Sequence, residues 1–332
     1  MSSEDFPAEP GANKDEALRH EPVMLQEVLH FLDPRPGETI VDCTLGGGGH
    51  AEAICRRIGQ TGRLIGFEQD EDALERARTR LQNCPVTLIH DNFRNLGNRI
   101  VETSASGVDG VLFDLGVSSF LLDTPERGFS FRTDAPLDMR MDRRQSTTAA
   151  DLVSRLTEEE MVRIFLEAGL GRWARRIARA ISTSRKRSPI TTTAQLAELV
   201  AASLPAAYRS KKIHPATQVF QALRIAVNDE IAALDIALAA AARHCNIGAR
   251  IVVIAFHSSE DREVKRTFQI LAGKPAPPPI YSTPELPLSQ GQFTILTKKP
   301  LVPSPEEVRR NPRSRSAKLR AVERIVPDGH LP

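Results

Sequence analysis

The chain has 332 residues, 41% hydrophobic and 26% charged, which supplies a sizeable core and excludes a globally disordered chain. That length predicts two compact units, or one large domain carrying an insertion. The net charge of +2 does not announce a nucleic-acid partner, so any such argument rests on where the charges lie.

Residues 1–20 are polar and acidic and read as a loose leader, without the apolar stretch of a signal peptide. From Thr39 short apolar runs alternate with helical patterns. Thr39–Cys43, Arg63–Glu68, Pro85–His90 and Asp109–Asp114 read as strands, and Ala51–Ile58 and Asp70–Leu81 as helices. This rhythm predicts parallel βαβ units, hence an α/β fold with an open Rossmann-like sheet covered on both faces. Residues 120–145 read as loop, punctuated by Pro125, Gly128 and Pro136. From Ala149 to Val227 only helical patterns follow: Glu158–Glu167, Arg172–Ile181, Thr193–Ala202 and Pro215–Ala226. Strand character resumes at Arg250–Phe256, then a helix at Glu260–Leu271 and a late strand at Gln292–Thr297. The expected organisation is a discontinuous domain of residues 21–140 and 228–325, an all-helical insertion at 141–227, and a tail at 326–332.

The most apolar helical stretch, Ile231 to Ala242, is too short to span a bilayer and contains Asp235. Cys43, Cys55, Cys84 and Cys245 form no CxxC pair, which disfavours zinc and disulfides and fits a reducing compartment. A cytoplasmic protein with no bound metal and no membrane contact is expected.

Chemistry enters at Asp42-Cys43-Thr44-Leu45-Gly46-Gly47-Gly48-Gly49-His50, where the first strand stops at glycines and a helix opens. Glycines permit a tight turn and let a ligand approach the backbone, and a helix N-terminus offers unpaired N–H groups. Four consecutive glycines are a costly way to build an ordinary strand–helix turn, at about 1 kcal/mol each relative to alanine. Glu68 closes the second strand 20 residues after Gly48, where a carboxylate can accept from both ribose hydroxyls of a nucleoside cofactor. Both NAD and S-adenosylmethionine fit a glycine turn with a distant acid. The dinucleotide pattern G-x-G-x-x-G fails, because Glu52 stands at the third glycine position. Asp91-Asn92-Phe93 follows the third strand, where it could flank an adenine. Asp114 ends the fourth strand at the carboxyl edge of the sheet; it suits a cofactor or substrate amine, or simply caps a loop.

Several stretches taken together resemble one family. They are His20-Glu21-Pro22-Val23-Met24-Leu25, the glycine run with its flanks, Phe113-Asp114-Leu115-Gly116-Val117-Ser118-Ser119, and Glu126-Arg127-Gly128-Phe129-Ser130-Phe131. Pro136-Leu137-Asp138-Met139-Arg140-Met141-Asp142, His214-Pro215-Ala216-Thr217-Gln218, Phe256-His257-Ser258-Ser259-Glu260 and Asn311-Pro312-Arg313-Ser314-Arg315-Ser316 continue the series. In this order they look like the bacterial 16S rRNA cytosine-N4 methyltransferase family, RsmH or MraW, over roughly residues 20–325. The resemblance implies a class I S-adenosylmethionine-dependent methyltransferase sheet with a helical insertion. It implies methyl transfer to the N4 amine of a decoding-centre cytidine of 16S rRNA in the small ribosomal subunit. It carries cofactor contacts onto Gly48, Gly49, His50, Glu68, Phe93 and Asp114. Two positions depart: Glu68 stands where the family often has Asp, and Leu121 stands where a cofactor-contacting glutamine is expected.

Cytosine N4 is a poor nucleophile and a sulfonium methyl a strong electrophile, so alignment for in-line attack is the enzyme's main task. Asp114 is the first catalytic candidate, as an acceptor beside the amine, and His257 the second, positioning the base or a phosphate. His257 is otherwise an ordinary loop histidine. Arg172, Arg175, Arg176 and Arg179 share one helix side, followed by Arg185-Lys186-Arg187, Arg209, Lys211 and Lys212. Arg309, Arg310, Arg313, Arg315, Lys318 and Arg320 form a C-terminal basic block. These clusters suit RNA phosphates, or are solvated faces. Trp173 and Tyr208 could stack on bases. A nicotinamide oxidoreductase and a non-catalytic RNA-binding assembly factor are the rival readings. The oligomeric state stays open, a homodimer among the alternatives.

Overall fold

The computed structural model describes residues 22–103, 107–205, 214–278 and 291–325. The leader, the tail, His20, Glu21, Tyr208, Arg209, Lys211 and Lys212 lie outside the described residues.

Seven strands form one sheet in the order β3-β2-β1-β4-β5-β7-β6. They are β1 (Thr39–Asp42), β2 (Arg63–Glu68), β3 (Val86–His90), β4 (Val108–Asp114), β5 (Cys245–Ala255), β6 (Phe293–Ile295) and β7 (Lys318–Arg324). The first five run parallel, and β7 lies antiparallel between β5 and β6. Alternate residues of the apolar runs feed two cores, as the two-residue period of a strand requires. Ile40, Leu64, Leu112, Val252 and Leu319 pack with helices α1 (Leu25–Leu32), α2 (Gly49–Ile58) and α3 (Glu71–Arg80). Val41, Ile65, Val111, Ile251 and Val322 face the other way, onto α4 (Leu96–Thr103). Strand order reverses between β1 and β4, so the carboxyl ends of those strands open the crevice where such sheets bind ligands.

After β4 the chain leaves the sheet. Helices α5 (Ser119–Asp123), α6 (Ala149–Arg155), α7 (Glu158–Glu167), α8 (Ala174–Ser184), α9 (Thr193–Ser203) and α10 (Ala216–Asn228) surround a core of their own, which includes Met161, Phe165, Ile177, Ile181, Leu196 and Leu223. Three of these helices open with capping boxes: Thr148 with Asp151, Thr157 with Glu160 and Thr192 with Gln195. Each box satisfies two backbone N–H groups that a helix start leaves unpaired. The chain returns through α11 (Glu230–His244) and α12 (Ser258–Leu271), which pack with α4 on the sheet.

Residues 124–145 are the strap between the two parts. They cross the carboxyl ends of β2 and β3. Arg127, with only 1% of its surface exposed, donates to Asp70 Oδ1 at 2.6 Å and to the carbonyls of Arg140 and Met141 at 3.0 and 2.9 Å. Arg144 donates to the His90 carbonyl, and Gln69 Nε2 reaches Met141 Sδ at 3.5 Å. From the far side, Asn228 at the end of α10 accepts from Met141 N–H and donates to the Met139 carbonyl.

Candidate functional site

The four glycines have different duties. Gly46 and Gly48 are left-handed, with φ of 51° and 79°, a region that a side chain strains. A Cβ on Gly49 would come within 2.7 Å of Pro22, so this glycine admits the incoming N-terminal segment. A Cβ on Gly47 would meet nothing within 4 Å, and one on Gly48 would face Leu81 of the protein interior. Glycine 47, rather than Gly48 or Gly49, is therefore the residue whose missing side chain leaves open space. A valine at 48 would act through backbone strain, not by filling a ligand cavity.

Glu68 locks this turn to the next one. Its Oε2 accepts from Gly46 N–H at 2.8 Å, and its Oε1 accepts from Gln69 and Asp70 N–H, both at 2.8 Å. Burial still raises its pKa, against the lowering effect of these three donors. Asp42 is 1% exposed and is pushed up to about 7, mainly by burial, with Glu68 adding repulsion. Asp114 is raised well above the ordinary carboxylate range by burial first, then by Asp42 and Glu260. Its backbone N–H donates to Thr44 Oγ1 at 2.6 Å, which ties the end of β4 to the glycine turn. One oxygen of each acid, Asp42 Oδ2 and Asp114 Oδ1, is buried without a hydrogen-bond partner. Three carboxylates thus converge on the switch point, and two of them have an unused acceptor.

His50 sits in the first turn of α2. Its Nε2 lies 2.9 Å from the Val23 carbonyl, which can only accept, so Nε2 carries the proton. Nδ1 then faces Asp114 Oδ2 at 3.5 Å. Phe93 ends up in the sheet–helix core, 9% exposed and edge-on to Phe113 at 5.8 Å. Leu121 packs in the helical core, 4% exposed, and its N–H donates to Ser118 Oγ at 3.3 Å. Packing and a cap occupy the position where the family resemblance implied a cofactor contact.

His257 follows β5 and is the N-cap of α12. Its Nδ1 accepts from Glu260 N–H at 3.3 Å, while Glu260 Oε2 accepts from Phe256 and His257 N–H at 2.8 and 3.2 Å. Sequence reasoning left Glu260 without a role, yet it is 2% exposed and close enough to Asp114 to raise its pKa. Burial raises Glu260, but His257 and the Arg224 guanidinium outweigh that and hold it low. Donor atoms of Glu230, His257 and Glu260 all lie within 4.8 Å of one another. Both oxygens of Glu230, however, accept from Arg224 of α10, at 2.8 and 2.9 Å. The cluster is thereby a joint between helical layer and sheet, reinforced by the Ser259 hydroxyl on the Glu167 carbonyl.

The basic clusters separate on inspection. Arg172, Arg175, Arg176 and Arg179 are all exposed along the start of α8, with Arg172 stacked over Trp173 at 4.9 Å. Trp173 itself packs against the helical core. In the C-terminal block three of the six cations are held in ion pairs among the described residues. Arg320 pairs with Asp261 at 2.8 Å, Lys318 with the same acid at 3.3 Å, and Arg313 with Asp123 at 2.7 Å. Arg315 is exposed and has no ion pair among the described residues.

Parallel sheets of this order, with one reversed strand slotted next to the edge, are the scaffold of class I methyltransferases, and an acid-lined crevice at the switch point is where that class holds its methyl donor. The chain belongs to the MraW methylase family, which matches residues 17–325. Among curated relatives, Ribosomal RNA small subunit methyltransferase H of Symbiobacterium thermophilum is 49% identical over 315 residues, covering 93% of this chain and 98% of that protein. The protein of the same name from Geotalea daltonii is 48% identical, covering 93% and 99%. Among solved structures, an rRNA methylase from Streptococcus thermophilus aligns over 91% of this chain and 94% of its own, with a TM-score of 0.38 and 10% identity.

Proposed function

We propose that this chain transfers a methyl group from S-adenosylmethionine to the exocyclic N4 amine of a cytidine in the decoding centre of small-subunit 16S rRNA. The rRNA substrate is the one that its relatives' name carries, and the cytosine amine comes from the motif resemblance. The observation that carries the cofactor is the set of acids at this sheet edge, one buried and two half-buried. Asp42, Glu68 and Asp114 are held with raised pKa values at one sheet edge, and two of their oxygens are unpartnered. Such a pocket favours a cation. S-adenosylmethionine brings a sulfonium and an ammonium, whereas NAD brings a pyrophosphate that these carboxylates repel.

The bound cofactor supplies an electrophilic methyl group. Glu68, fixed by three backbone donors, keeps one acceptor position, on Oε2, for a ribose hydroxyl. Asp114, whose backbone N–H is tied to Thr44, offers its free Oδ1 to the attacking amine and stabilises the positive charge developing on nitrogen. Gly47 leaves the turn open for close backbone approach. The exposed arginines of α8 and the helical layer at 141–227 recognise the RNA backbone. No described helix is long and apolar enough to cross a membrane, and an rRNA substrate implies work in the cytoplasm. The test is to incubate the protein with small ribosomal subunits, or with their naked rRNA, and methyl-labelled S-adenosylmethionine, then map the label. N4-methylcytidine at one decoding-centre position is expected. No label on either substrate would sink the enzymatic reading and favour a non-catalytic assembly factor.

A further inference from the structure

A second cavity lies beside the acid crevice, on the opposite side of β4 from the glycine turn. It measures about 290 Å³ and is lined by Phe256, His257, Ser258, Val302 and the run Arg315-Ser316-Ala317-Lys318. Its place follows from sheet register. Asp114 pairs with Ile254, and Ala255 pairs with Lys318, so the cavity caps the end of β5 and the start of β7. The Leu115 N–H donates to the Ile254 carbonyl, and a Cβ on Gly116 would sit 3.4 Å from the Phe256 ring. The cavity wall is therefore in contact with the loop that follows Asp114.

The lining is chosen for an anion. Arg315 is exposed with no ion pair or hydrogen bond among the described residues, and Lys318 stands across from it. Asp261 is shared between Lys318 and Arg320, so one carboxylate meets two cations, while Arg315 has no ion pair among the described residues. The hydroxyls of Ser258 and Ser316 add donors, and the first turn of the fourteen-residue α12 faces the same space. Glu260 lies behind the wall, but its Oε2 is committed to two backbone N–H groups, its Oε1 lies 2.9 Å from His257 Nε2, and Arg224 offsets its charge. Val302 and Phe256 supply an apolar side against which a sugar or base can rest.

We propose that this cavity anchors a backbone phosphodiester of the RNA strand next to the methylated nucleotide, with Arg315 as its main ligand and Lys318, Ser258 and Ser316 as helpers. The inference rests on the rRNA-methylation reading. In-line displacement requires donor and acceptor on opposite sides of the travelling methyl group. With the cofactor over β1, β2 and β4, an acceptor that approaches Asp114 over β5 and β7 passes the cavity. Neighbouring strands are about 4.8 Å apart, so one strand spacing separates Asp114 from the cavity wall. A nucleotide presenting its base at Asp114 can place an adjacent phosphate there.

The experiment compares wild type, Arg315→Ala and Arg315→Lys for S-adenosylmethionine affinity, small-subunit affinity at several salt concentrations, and methyl transfer. Arg315→Ala is expected to keep cofactor affinity and to weaken subunit binding about tenfold, the loss of one charge-assisted contact. Its salt slope should drop by about 0.7 for one phosphate on a single strand. Arg315→Lys should restore the slope while recovering only part of the affinity, because lysine lacks the bidentate fork. Wild-type subunit affinity and slope in Arg315→Ala would overturn the anchor, as would full recovery by lysine, which would reduce the site to a diffuse field. Lost cofactor affinity with subunit binding intact would hand the cavity to the cofactor and equally overturn it. Failure of the methylation reading is separate: it shows as wild-type protein that never labels the subunit.

Discussion

Arg127→Met is the sharpest probe of how the strap holds the site. Methionine keeps most of the buried volume, so the loss is electrostatic rather than a cavity. The substitution strands the Asp70 carboxylate, 3% exposed, whose Oδ2 has no hydrogen bond and whose nearest remaining cation is Arg76 at 3.8 Å. Removing one partner of a buried pair costs about 3–5 kcal/mol. The carbonyls of Arg140 and Met141 lose their donor as well, at about 1 kcal/mol each before the strap relaxes towards water. Arg76 offsets part of this, which leaves a net loss of about 4 kcal/mol. Urea unfolding followed by circular dichroism and by the single tryptophan, Trp173, measures it. Arg127→Met combined with Asp70→Asn should lose clearly less than the sum of the two, with a coupling of about 2 kcal/mol. Asp70 is also the N-cap of α3 and donates its N–H to Glu68, so cofactor affinity should fall with the strap. A loss below about 1 kcal/mol with unchanged cofactor affinity would refute the clamp.

Asp114→Asn should still bind S-adenosylmethionine while methyl transfer falls about 100-fold or more; wild-type turnover would remove Asp114 from the chemistry. Charge reversal of Arg175, Arg176 and Arg179 together should weaken RNA binding and flatten its dependence on salt, and an unchanged slope would return this helix face to solvent. Burial pushes Asp42 up to about 7, so between the ordinary range near 4 and that value the folded chain keeps a proton that the unfolded chain has lost. That contribution to stability is complete at low pH and lost as the pH rises through 7. For the cationic cofactor the sign reverses: its affinity should grow as pH rises through 7, and more than that of S-adenosylhomocysteine, which lacks the sulfonium. Parallel pH profiles for the two ligands in calorimetry would disprove the role of the acids.

The sheet was legible in the sequence wherever one period dominated. Arg63–Glu68 reads as a strand with the right ends, and Glu158–Glu167 as a helix with the right ends, because apolar spacing and end signals agree there. Strand β7 was missed: Lys318, Arg320 and Arg324 disguise a buried strand as a basic tail segment. Their charges are tolerated because Asp261 takes the first two and Arg324 donates to the carbonyls of Ala242 and Cys245. Helices α1 and α4 carry short amphipathic patterns without strong starts, and neither was anticipated. In the site, the glycine turn, Glu68 and Asp114 were readable because chemistry and strand ends coincide. Arg127 and Asp70 were not, since 57 residues separate them and only the folded strap brings them together. Glu260 was passed over as a helix-start acid, and it is one, but its carboxylate also reaches Asp114 through the field.

The near-neutral total charge conceals a separation that the proposed reaction needs. Acids concentrate at the carboxyl ends of β1, β2 and β4, Asp42 buried and Glu68 and Asp114 half-buried, where the proposal holds a sulfonium. Exposed arginines line one side of α8, and Arg315 stands just before β7 beside the end of β5, where the proposal brings phosphates. Were the two sets mixed, each would neutralise the other and neither ligand would be selected. The wall between them is β4 and its loop. Asp114 stands at that wall with a free oxygen, where the proposed reading brings the cationic cofactor and the incoming amine together. Its raised pKa belongs to the same arrangement. A carboxylate short of counterions gains most from a cation, and the amine becomes cationic only as the new bond to carbon forms. The burial that makes Asp114 costly in the free protein is therefore what lets it favour the transition state over the neutral amine that precedes it.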